Sequence, residues 1–288
     1  MDRRTPRRFV VALGALALAM PVWTEEAGAV DLPMLYTSRR DGNQEIYAIN
    51  ADGTGNRRLT VDAAIDDQAT WEPGQARFAW ASERTGPRTI WVANADGSDS
   101  RKLTSGAVEE KRPSWSPDGQ WIAFLDRGIA VARPDGSDNH VVVSNTASPS
   151  GHVAWLADSS GFVFTRSVGK RDSDVYRVNS DGTGMLALTT EPGIDRHPEA
   201  SPDGQWIAFD AKPKGAKDFG IYVVRPDGTD RRFVTKGVRG AQQPTWSPDS
   251  TRIAFTSNGD IWFANLDGTG MTRVTTDRQK NESAAWGS

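Results

Sequence analysis

The chain has 288 residues, of which 34 are basic and 37 are acidic, so its formal net charge is −3. This balance argues against nucleic acid or an anionic membrane surface as the partner, because both attract clustered positive charge. The sequence contains no cysteine, which excludes a disulfide framework, a lipid-attachment cysteine and a cysteine nucleophile.

The first 29 residues have the composition of an export signal. Four arginines in MDRRTPRR precede the apolar run FVVALGALALAMPV, and Ala27-Gly28-Ala29 offers a small-residue cleavage pattern. The apolar run is shorter than the roughly 20 residues of a transmembrane helix. We predict a signal peptide at 1–29 and a periplasmic or secreted mature chain from Val30, with a net charge near −4 after loss of four arginines and three acids. An uncleaved membrane anchor is the alternative.

An internal repeat follows the predicted signal. The nine letters SPDGQWIAF occur at 116–124 and again at 201–209. Two markers keep one period: a tryptophan before a turn, at steps of 44, 40, 45, 46 and 40 residues, and Asp-Gly before Thr or Ser, at steps of 44, 39, 46, 46 and 40. The tryptophan column is Trp71, Trp115, Trp155, Ala200, Trp246 and Trp286; the Asp-Gly column is Asp52, Asp96, Asp135, Asp181, Asp227 and Asp267. The sequence therefore contains six units.

Each unit contains four short apolar stretches, as RPSW, WIAFLD, GIAVARP and HVVV show in unit three. Ser-Pro-Asp-Gly and Asp-Gly-Thr/Ser separate them and are turn sequences: proline presets φ, aspartate caps the turn, and glycine accepts a positive φ. Four strands in about 40 to 45 residues are typical of a β-propeller blade. We predict an all-β fold, a six-bladed β-propeller over residues 30–288.

The two ends of the repeat are incomplete in a complementary way. PMLYTS at 33–38 is a second-strand sequence with no tryptophan strand before it, and SAAWGS at 283–288 is a tryptophan strand with nothing after it. We expect the C-terminal strand to complete the first blade and to remove the open edge of the ring.

The stretch YTSRRDGNQEIYAINADGTGNRRLT at 36–60, together with the repeated WSPDG and IAF, resembles the propeller repeats of the TolB family. The resemblance implies a periplasmic propeller that docks a protein partner on one face, as in the Tol-Pal envelope system. TolB carries an α/β domain ahead of its propeller, whereas the first blade here starts a few residues after the predicted signal. A role that needs that domain does not carry over.

The best candidate site lies just before each tryptophan strand, where the chain enters the central channel. These polar positions differ from unit to unit, while packing positions repeat, and function is free to break the symmetry of a fold. We predict a binding site formed by Asp67, Gln68, Lys111, Arg112, His152, Arg196, His197, Gln242, Gln243 and Glu282. Arginine is the expected anchor, because its planar fork holds a carboxylate through two hydrogen bonds.

Other features have simpler explanations. The Asp-Gly segments offer one acid each and lack the alternating ligands of a calcium loop, which favours hairpin turns. The tryptophans are expected to pack between neighbouring blades. His152 and His197 could take part in a metal site, but two histidines without fixed spacing more often line a channel as solvated side chains or contact a protein. His140 belongs to the surface of unit three.

Three classes of function follow from these features. The first is a monomeric, exported, non-enzymatic propeller without a cofactor that binds a protein of the cell envelope at its channel mouth. The second is a propeller-fold lyase or hydrolase acting on a saccharide through His152 and His197, with or without a metal. The third is a purely structural envelope component. Because no G-x-S-x-G elbow occurs and six blades use the whole chain, the first class is favoured.

Overall fold

The structure, a computed structural model, describes residues 33–106, 108–144, 149–275 and 281–286. These residues form β-strands joined by turns and contain no helix, which confirms the all-β class. The predicted signal peptide at 1–29 lies outside the described residues.

The 24 strands form six units of four. In unit one, β1 is Met34–Ser38, β2 is Glu45–Ile49, β3 is Arg57–Arg58, and β24 is Asn281–Trp286. In unit two, β4 is Asp66–Trp71, β5 is Arg77–Ser82, β6 is Thr89–Asn94, and β7 is Arg101–Lys102. In unit three, β8 is Lys111–Trp115, β9 is Ile122–Leu125, β10 is Gly128–Ala132, and β11 is His140–Ser144.

The other three units follow the same order. In unit four, β12 is Pro149–Trp155, β13 is Gly161–Gly169, β14 is Asp172–Asn179, and β15 is Leu186–Ala187. In unit five, β16 is Gly193–Ala200, β17 is Ile207–Pro213, β18 is Gly220–Val224, and β19 is Arg232–Phe233. In unit six, β20 is Gln242–Trp246, β21 is Arg252–Ser257, β22 is Asp260–Asn265, and β23 is Thr272–Arg273.

Within each unit the strands pair antiparallel with their neighbours in the order of the chain, except that β24 precedes β1. One parallel pair, Ser173 with Ile194, joins units four and five into a single eight-stranded sheet. We call β24, β4, β8, β12, β16 and β20 the first strands. Each first strand contacts the first strands of two other units.

The C-terminal strand completes unit one. Trp286 lies opposite Met34, and Asn281 lies opposite Ser38. This antiparallel pairing between β24 and β1 is the one that PMLYTS and SAAWGS predict. It covers a strand edge that would otherwise present unpaired backbone groups.

The hydrophobic core lies between neighbouring units. One cluster joins Ile90 and Val92 of unit two to Trp115, Ile122 and Phe124 of unit three. Comparable clusters join the other neighbouring pairs, from units one and two to units six and one. Because both faces of each sheet are covered, the apolar strands show continuous burial in place of alternation.

The tryptophan column adds hydrogen bonds between units. Trp155 Nε1 donates to the Ser114 carbonyl at 3.1 Å, and Trp246 Nε1 donates to the Glu199 carbonyl at 3.0 Å. Both of these rings are buried, and the Nε1 atom of each donates to the backbone of the preceding unit. The tryptophans therefore pack between units.

The Asp-Gly segments are hairpin turns. In the first of them Asp52 Oδ1 accepts hydrogen bonds from Thr54 N at 2.8 Å and Thr54 Oγ1 at 2.6 Å, and Gly53 has a φ of 84°. Asp96, Asp135, Asp181, Asp227 and Asp267 accept the same pair of bonds. The aspartate caps its own turn, as the turn sequence predicts.

Candidate binding site at the bulge end

Every first strand contains a β-bulge a few residues before its tryptophan column position. In β4, for example, Asp67 pairs with Ala81 and Thr70 pairs with Ala79, so Gln68 and Ala69 face a single residue. Similar register shifts occur in the other first strands. A bulge bends its strand and redirects a side chain. We call this end of the first strands the bulge end, and the opposite end, with the tryptophans and Ser-Pro-Asp-Gly turns, the turn end.

Four of the bulges hold a non-glycine residue in the left-handed region. The φ angles are 58° at Gln68, 57° at Arg112, 51° at His197 and 54° at Gln243. In unit four the left-handed residue is Gly151, with a φ of 74°. Left-handed backbone costs of order 1 kcal/mol for residues with a Cβ, and such strain is concentrated at functional sites.

The redirected side chains line one pocket, which all six first strands surround. We call it the polar pocket; its polar side chains include Gln68, Arg112, His152, His197, Glu199 and Gln243. Five of these six are predicted site residues. The bulges therefore bring together side chains that are at least 40 residues apart in neighbouring units.

His197 is held in one tautomer. Its Nδ1 lies 2.6 Å from Asp210 Oδ1, so the proton belongs on Nδ1, which donates to the carboxylate. Burial lowers the pKa of His197 to about 4; the Asp210 carboxylate opposes this effect and the Arg112 guanidinium adds to it. At neutral pH the ring is therefore uncharged, with the lone pair of Nε2 free to accept. The side chain is buried, which corrects the expectation of a solvated histidine.

Asp210, on β17, organises this part of the site and is fully buried. Besides His197 it accepts from Arg196 Nε at 2.8 Å and from the backbone N of Gln243 at 3.0 Å. Burial alone would raise the pKa of this carboxyl, but the hydrogen bonds from His197 and Arg196 and the arginine charge outweigh it, so the pKa is lowered. An ionised Asp210 thus connects two strands of unit five to unit six.

Arg112 lines the polar pocket, and among the described residues it has no ion-pair partner. Its backbone N donates to Gln68 Oε1 at 2.9 Å, and its Nη2 lies 3.5 Å from His197 Nε2. Burial lowers the pKa of the guanidinium from its ordinary value, against the attraction of the carboxylates of Asp67 and Asp210. In the described part of the chain no carboxylate comes close enough to form a salt bridge with it.

Asp67 faces the outer side of the bulge. Arg88 Nη1 lies 3.3 Å from Asp67 Oδ2, and Arg88 Nη2 lies 2.8 Å from Glu83 Oε1. Burial raises the pKa of Asp67 to about 6, although the charges of Arg88 and Arg112 oppose the shift. This carboxylate is paired outside the polar pocket.

Arg196 and Gln242 also lie beside the pocket. Arg196 Nη2 donates to Gln242 Oε1 at 2.7 Å, and the guanidinium lies 3.9 Å from the ring centroid of Phe219. Lys111 is more exposed, with 40% of its side chain accessible and Glu109 3.7 Å from its Nζ. The side chain of Glu282 lies outside the described residues; its backbone pairs with Thr37.

His152 reaches the pocket from unit four. Its Nε2 lies 3.3 Å from Glu199 Oε2, and its ring meets the ring of His197 edge to face with centroids 5.9 Å apart. Its Nδ1 is buried and has no hydrogen-bond partner within the described ranges. His140, on β11, is exposed on the outer surface as expected.

The two pocket histidines do not fit a divalent cation. His197 Nδ1 is engaged by Asp210, and a metal on Nε2 would meet the positive charge of Arg112, whose Nη2 is 3.5 Å away. The described residues contain no group of three His, Cys, Asp or Glu side chains arranged to hold a metal ion.

Sequence reasoning missed Asp210, Glu199 and Arg88 as members of the site. Asp210 stands in the second strand of its unit, where IAFDAK places an acid inside an otherwise apolar run. That break in pattern is the available signal, because a buried acid requires partners. Glu199, in RHPEASPDG, lies two residues after His197 in a polar stretch, so no break in an apolar pattern marks it.

Comparisons with known proteins agree with this fold. A family described as "TolB beta propeller domain" matches residues 30–139, and one described as "Dipeptidyl peptidase IV (DPP IV) N-terminal region" matches 211–286. TolB from Acinetobacter baumannii superposes with a TM-score of 0.77 at 17% identity, covering 90% of this chain and 67% of that one. The chain is a TolB-like β-propeller. The resemblance of its repeats to the TolB family is thereby confirmed.

TolB-like propellers share their fold with proteins of different activities. A chain of a nidogen/laminin complex has a TM-score of 0.73 at 11% identity, covering 88% of this chain and 97% of that one. An oligogalacturonate lyase in complex with manganese has a TM-score of 0.60 at 15% identity, covering 85% and 76%. At these identities the likeness is one of fold. Within the described ranges no helix has the length and apolarity to span a bilayer.

Proposed function

We propose that this chain is an exported propeller that binds a protein of the cell envelope at its bulge end without transforming it. The observation that carries the proposal is the set of strained bulges. Gln68, Arg112, His197 and Gln243 occupy equivalent left-handed positions, yet three different residue types occur there. Backbone strain is concentrated at functional sites. Strained positions that carry different side chains in different units are therefore expected where those side chains have a role.

The chemistry of the bulge end suits a protein contact. Arg88, Lys111, Arg112 and Arg196 lie there together with Asp67, Glu83 and Glu199, and a mixed pattern of charge is what fixes the register of one specific partner. Arginine is enriched among the residues that dominate binding energy. The nidogen/laminin complex is a precedent for a propeller of this kind in a protein complex.

The proposal includes a location and a closed ring. The arginine-rich start and the apolar run at 1–29 support export to the periplasm or beyond. The pairing of β24 with β1, and the contacts of each first strand with two others, support six blades closed by the C-terminal strand. The pairing of β24 with β1 covers the inner edge of unit one, which an open ring would leave exposed.

A second candidate is a saccharide lyase or hydrolase that uses His197 as a base. The observation that favours it is the His197–Asp210 pair, in which Nε2 is the acceptor and faces the polar pocket. Two features argue against it: the low pKa of about 4 makes the imidazole a weak base, and Arg112 Nη2 stands 3.5 Å in front of Nε2.

Because the chain contains no cysteine, single introduced cysteines can be labelled specifically to test which end binds the partner. Single cysteines are introduced at Lys111, on the bulge end, and at Gln120, in the Ser-Pro-Asp-Gly turn, and each is coupled to a benzophenone maleimide. After illumination in an envelope extract, we expect Lys111→Cys to cross-link one protein reproducibly. We expect no cross-link to that protein from Gln120→Cys.

The same preparation separates the two candidates. Oligogalacturonate and other acidic saccharides are incubated with the parent chain and with His197→Gln. Turnover by the parent that His197→Gln abolishes would replace the binding proposal by the enzymatic one. Equal cross-linking from both ends would remove the assignment of the partner to the bulge end.

A further inference from the structure

Three of the described carboxylates lie near Arg112, and each has another partner. Asp67 pairs with Arg88 at 3.3 Å, and Glu199 lies 3.3 Å from His152 Nε2. Asp210 accepts from His197 and from Arg196. Each of these three carboxylates therefore has a partner other than Arg112 among the described residues, although Asp67 Oδ1 accepts no hydrogen bond there.

The Arg112 guanidinium is left with weak acceptors. An arginine in a protein stays protonated and offers five N–H donors, of which this one directs Nη2 at the neutral His197 Nε2 over 3.5 Å. A neutral imidazole supplies a lone pair but no opposite charge. A half-buried cation of this kind is stabilised strongly when an anion completes it, since charge-assisted bidentate pairs are among the strongest hydrogen bonds.

A second unsatisfied atom lies in the same pocket. His152 Nδ1 is buried without a hydrogen-bond partner among the residues described. When Nε2–H donates to Glu199, the neutral ring presents Nδ1 as an acceptor. The polar pocket thus combines a cationic donor, Arg112 of unit three, with an acceptor, His152 Nδ1 of unit four. A peptide segment supplies the complementary set, a carboxylate and an N–H.

We propose that Arg112 binds a carboxylate group carried by a segment of the partner that enters the polar pocket, with His152 Nδ1 accepting a hydrogen bond from the same segment. This inference rests on the proposed function, since it specifies the chemistry of the contact. The carboxylate belongs either to an Asp or Glu side chain or to the C-terminus of the partner, and both offer the same two oxygens.

The fold itself offers a matched variant. Gln68 and Gln243 occupy the equivalent bulge positions with φ angles of 58° and 54°, close to the 57° of Arg112. Arg112→Gln therefore replaces the cation by a side chain that this backbone conformation already carries twice. The backbone N of residue 112 still donates to Gln68 Oε1. Arg57→Gln is the control, because it makes the same substitution at an exposed position on β3, away from the polar pocket.

Three pools of fluorescent pentapeptides, built otherwise from neutral residues, serve as the probe. The first pool has a free C-terminal carboxylate, the second has an amidated C-terminus and one central Glu, and the third has an amidated C-terminus and Gln in place of Glu. Binding to the mature chain is measured by fluorescence anisotropy. The first two pools distinguish the two sources of the carboxylate, and the third carries none.

We expect at least one carboxylate pool to bind the parent chain and Arg57→Gln alike, and to bind Arg112→Gln about 10- to 100-fold more weakly. The Gln pool is expected to bind all three chains equally weakly. His152→Ala is expected to bind the carboxylate pool more weakly than the parent chain does. Equal binding of the carboxylate pools by the parent and Arg112→Gln, or no preference for carboxylate over Gln pools, overturns the inference.

The outcome is separable from that of the proposed function. If Lys111→Cys still cross-links its partner while Arg112→Gln captures that partner as tightly as the parent does, the carboxylate inference fails and the binding function stands. If cross-linking from Lys111→Cys is absent but the carboxylate pools depend on Arg112, the pocket binds a small carboxylate and the protein-binding function fails.

Discussion

The two ends of the first strands use the same residue type in opposite ways. At the turn end Asp203 accepts from Ser201 Oγ at 2.5 Å and from Gln205 N at 3.0 Å, within a span of five residues. At the bulge end Asp210 accepts from His197, from Arg196 and from the backbone of Gln243 in the next unit. One carboxylate is satisfied locally and recurs in the repeat; the other is satisfied by tertiary contacts and occurs in one unit.

This difference separates what the repeat needs for folding from what the single chain adds. A turn that satisfies its own polar groups can recur in every unit, because it does not depend on residues of neighbouring units. A buried network between units depends on residues from several units, so it is lost in any unit where those residues are replaced. The bulge end is therefore where one unit differs from the next, and where specificity can reside.

The largest expected effect comes from removing the strand that contributes to both ends. Deleting residues 282–288 removes most of β24, including Trp286, which stacks on Phe263 with centroids 4.7 Å apart and pairs with Met34. We expect the free energy of unfolding to fall by about 5 kcal/mol or more, because a buried tryptophan and a strand ladder are lost together.

Urea unfolding followed by tryptophan fluorescence measures that change. Trp286→Phe, which keeps a ring against Phe263, serves as the control and should lose less than half as much. A deletion that leaves the free energy of unfolding unchanged would contradict the closed ring.

The next effect compares the two aspartates directly. Asp210→Ala should lower the free energy of unfolding by about 3 to 5 kcal/mol, because it removes the buried acceptor shared by His197 Nδ1, Arg196 Nε and the backbone N of Gln243. Asp203→Ala removes an exposed turn cap and should cost about 1 kcal/mol. Equal losses from the two substitutions, measured by urea unfolding, would show that the ends do not differ in this way.

A smaller effect, the pH dependence of stability, tests whether His197 is neutral in the folded chain. The unfolded chain protonates His197 near the ordinary pKa of 6.5, whereas the folded chain protonates it only near pH 4. Between these values the unfolded state binds more protons, so the stability that this residue contributes is complete above pH 6.5 and is lost as the pH falls towards 4.

The difference in unfolding free energy between the parent and His197→Gln isolates this contribution. Asp67 and Asp195, whose pKa values burial raises to about 6, change stability in the opposite direction but are present in both chains. We expect the difference to fall by about 3 kcal/mol from pH 6.5 to pH 4. A difference that stays constant over this range would mean that folding does not lower the pKa of His197.

The sequence predicted the repeat-dependent part of the molecule well. Strands such as WIAFLD and turns such as Ser-Pro-Asp-Gly follow from local composition, and the match between PMLYTS and SAAWGS follows from counting units. The left-handed φ of 57° at Arg112 did not follow, because no local preference indicates it; the bulge arises from the register of β8 against β9.

The candidate site was predicted as a set of positions but not as a network. Alignment on the tryptophan column found Arg112, His152 and His197, since the repeat brings these positions to one end of the first strands. It did not separate the unpaired Arg112 from Arg196, whose guanidinium is used by Asp210. Such a distinction depends on side-chain partners in other strands, which periodicity does not encode.

The central claim, that the bulge end and not the turn end binds the partner, is tested most directly by blocking each end in turn. Single cysteines at Lys111 and Gln120 are coupled to a bulky polyethylene glycol maleimide, and the dissociation constant for the cross-linked partner is measured for each conjugate. We expect the conjugate at Lys111 to bind at least about tenfold more weakly, a loss of about 1.4 kcal/mol, and the conjugate at Gln120 to bind as the parent does. Unchanged binding by the Lys111 conjugate, or a larger loss at Gln120, would contradict the account.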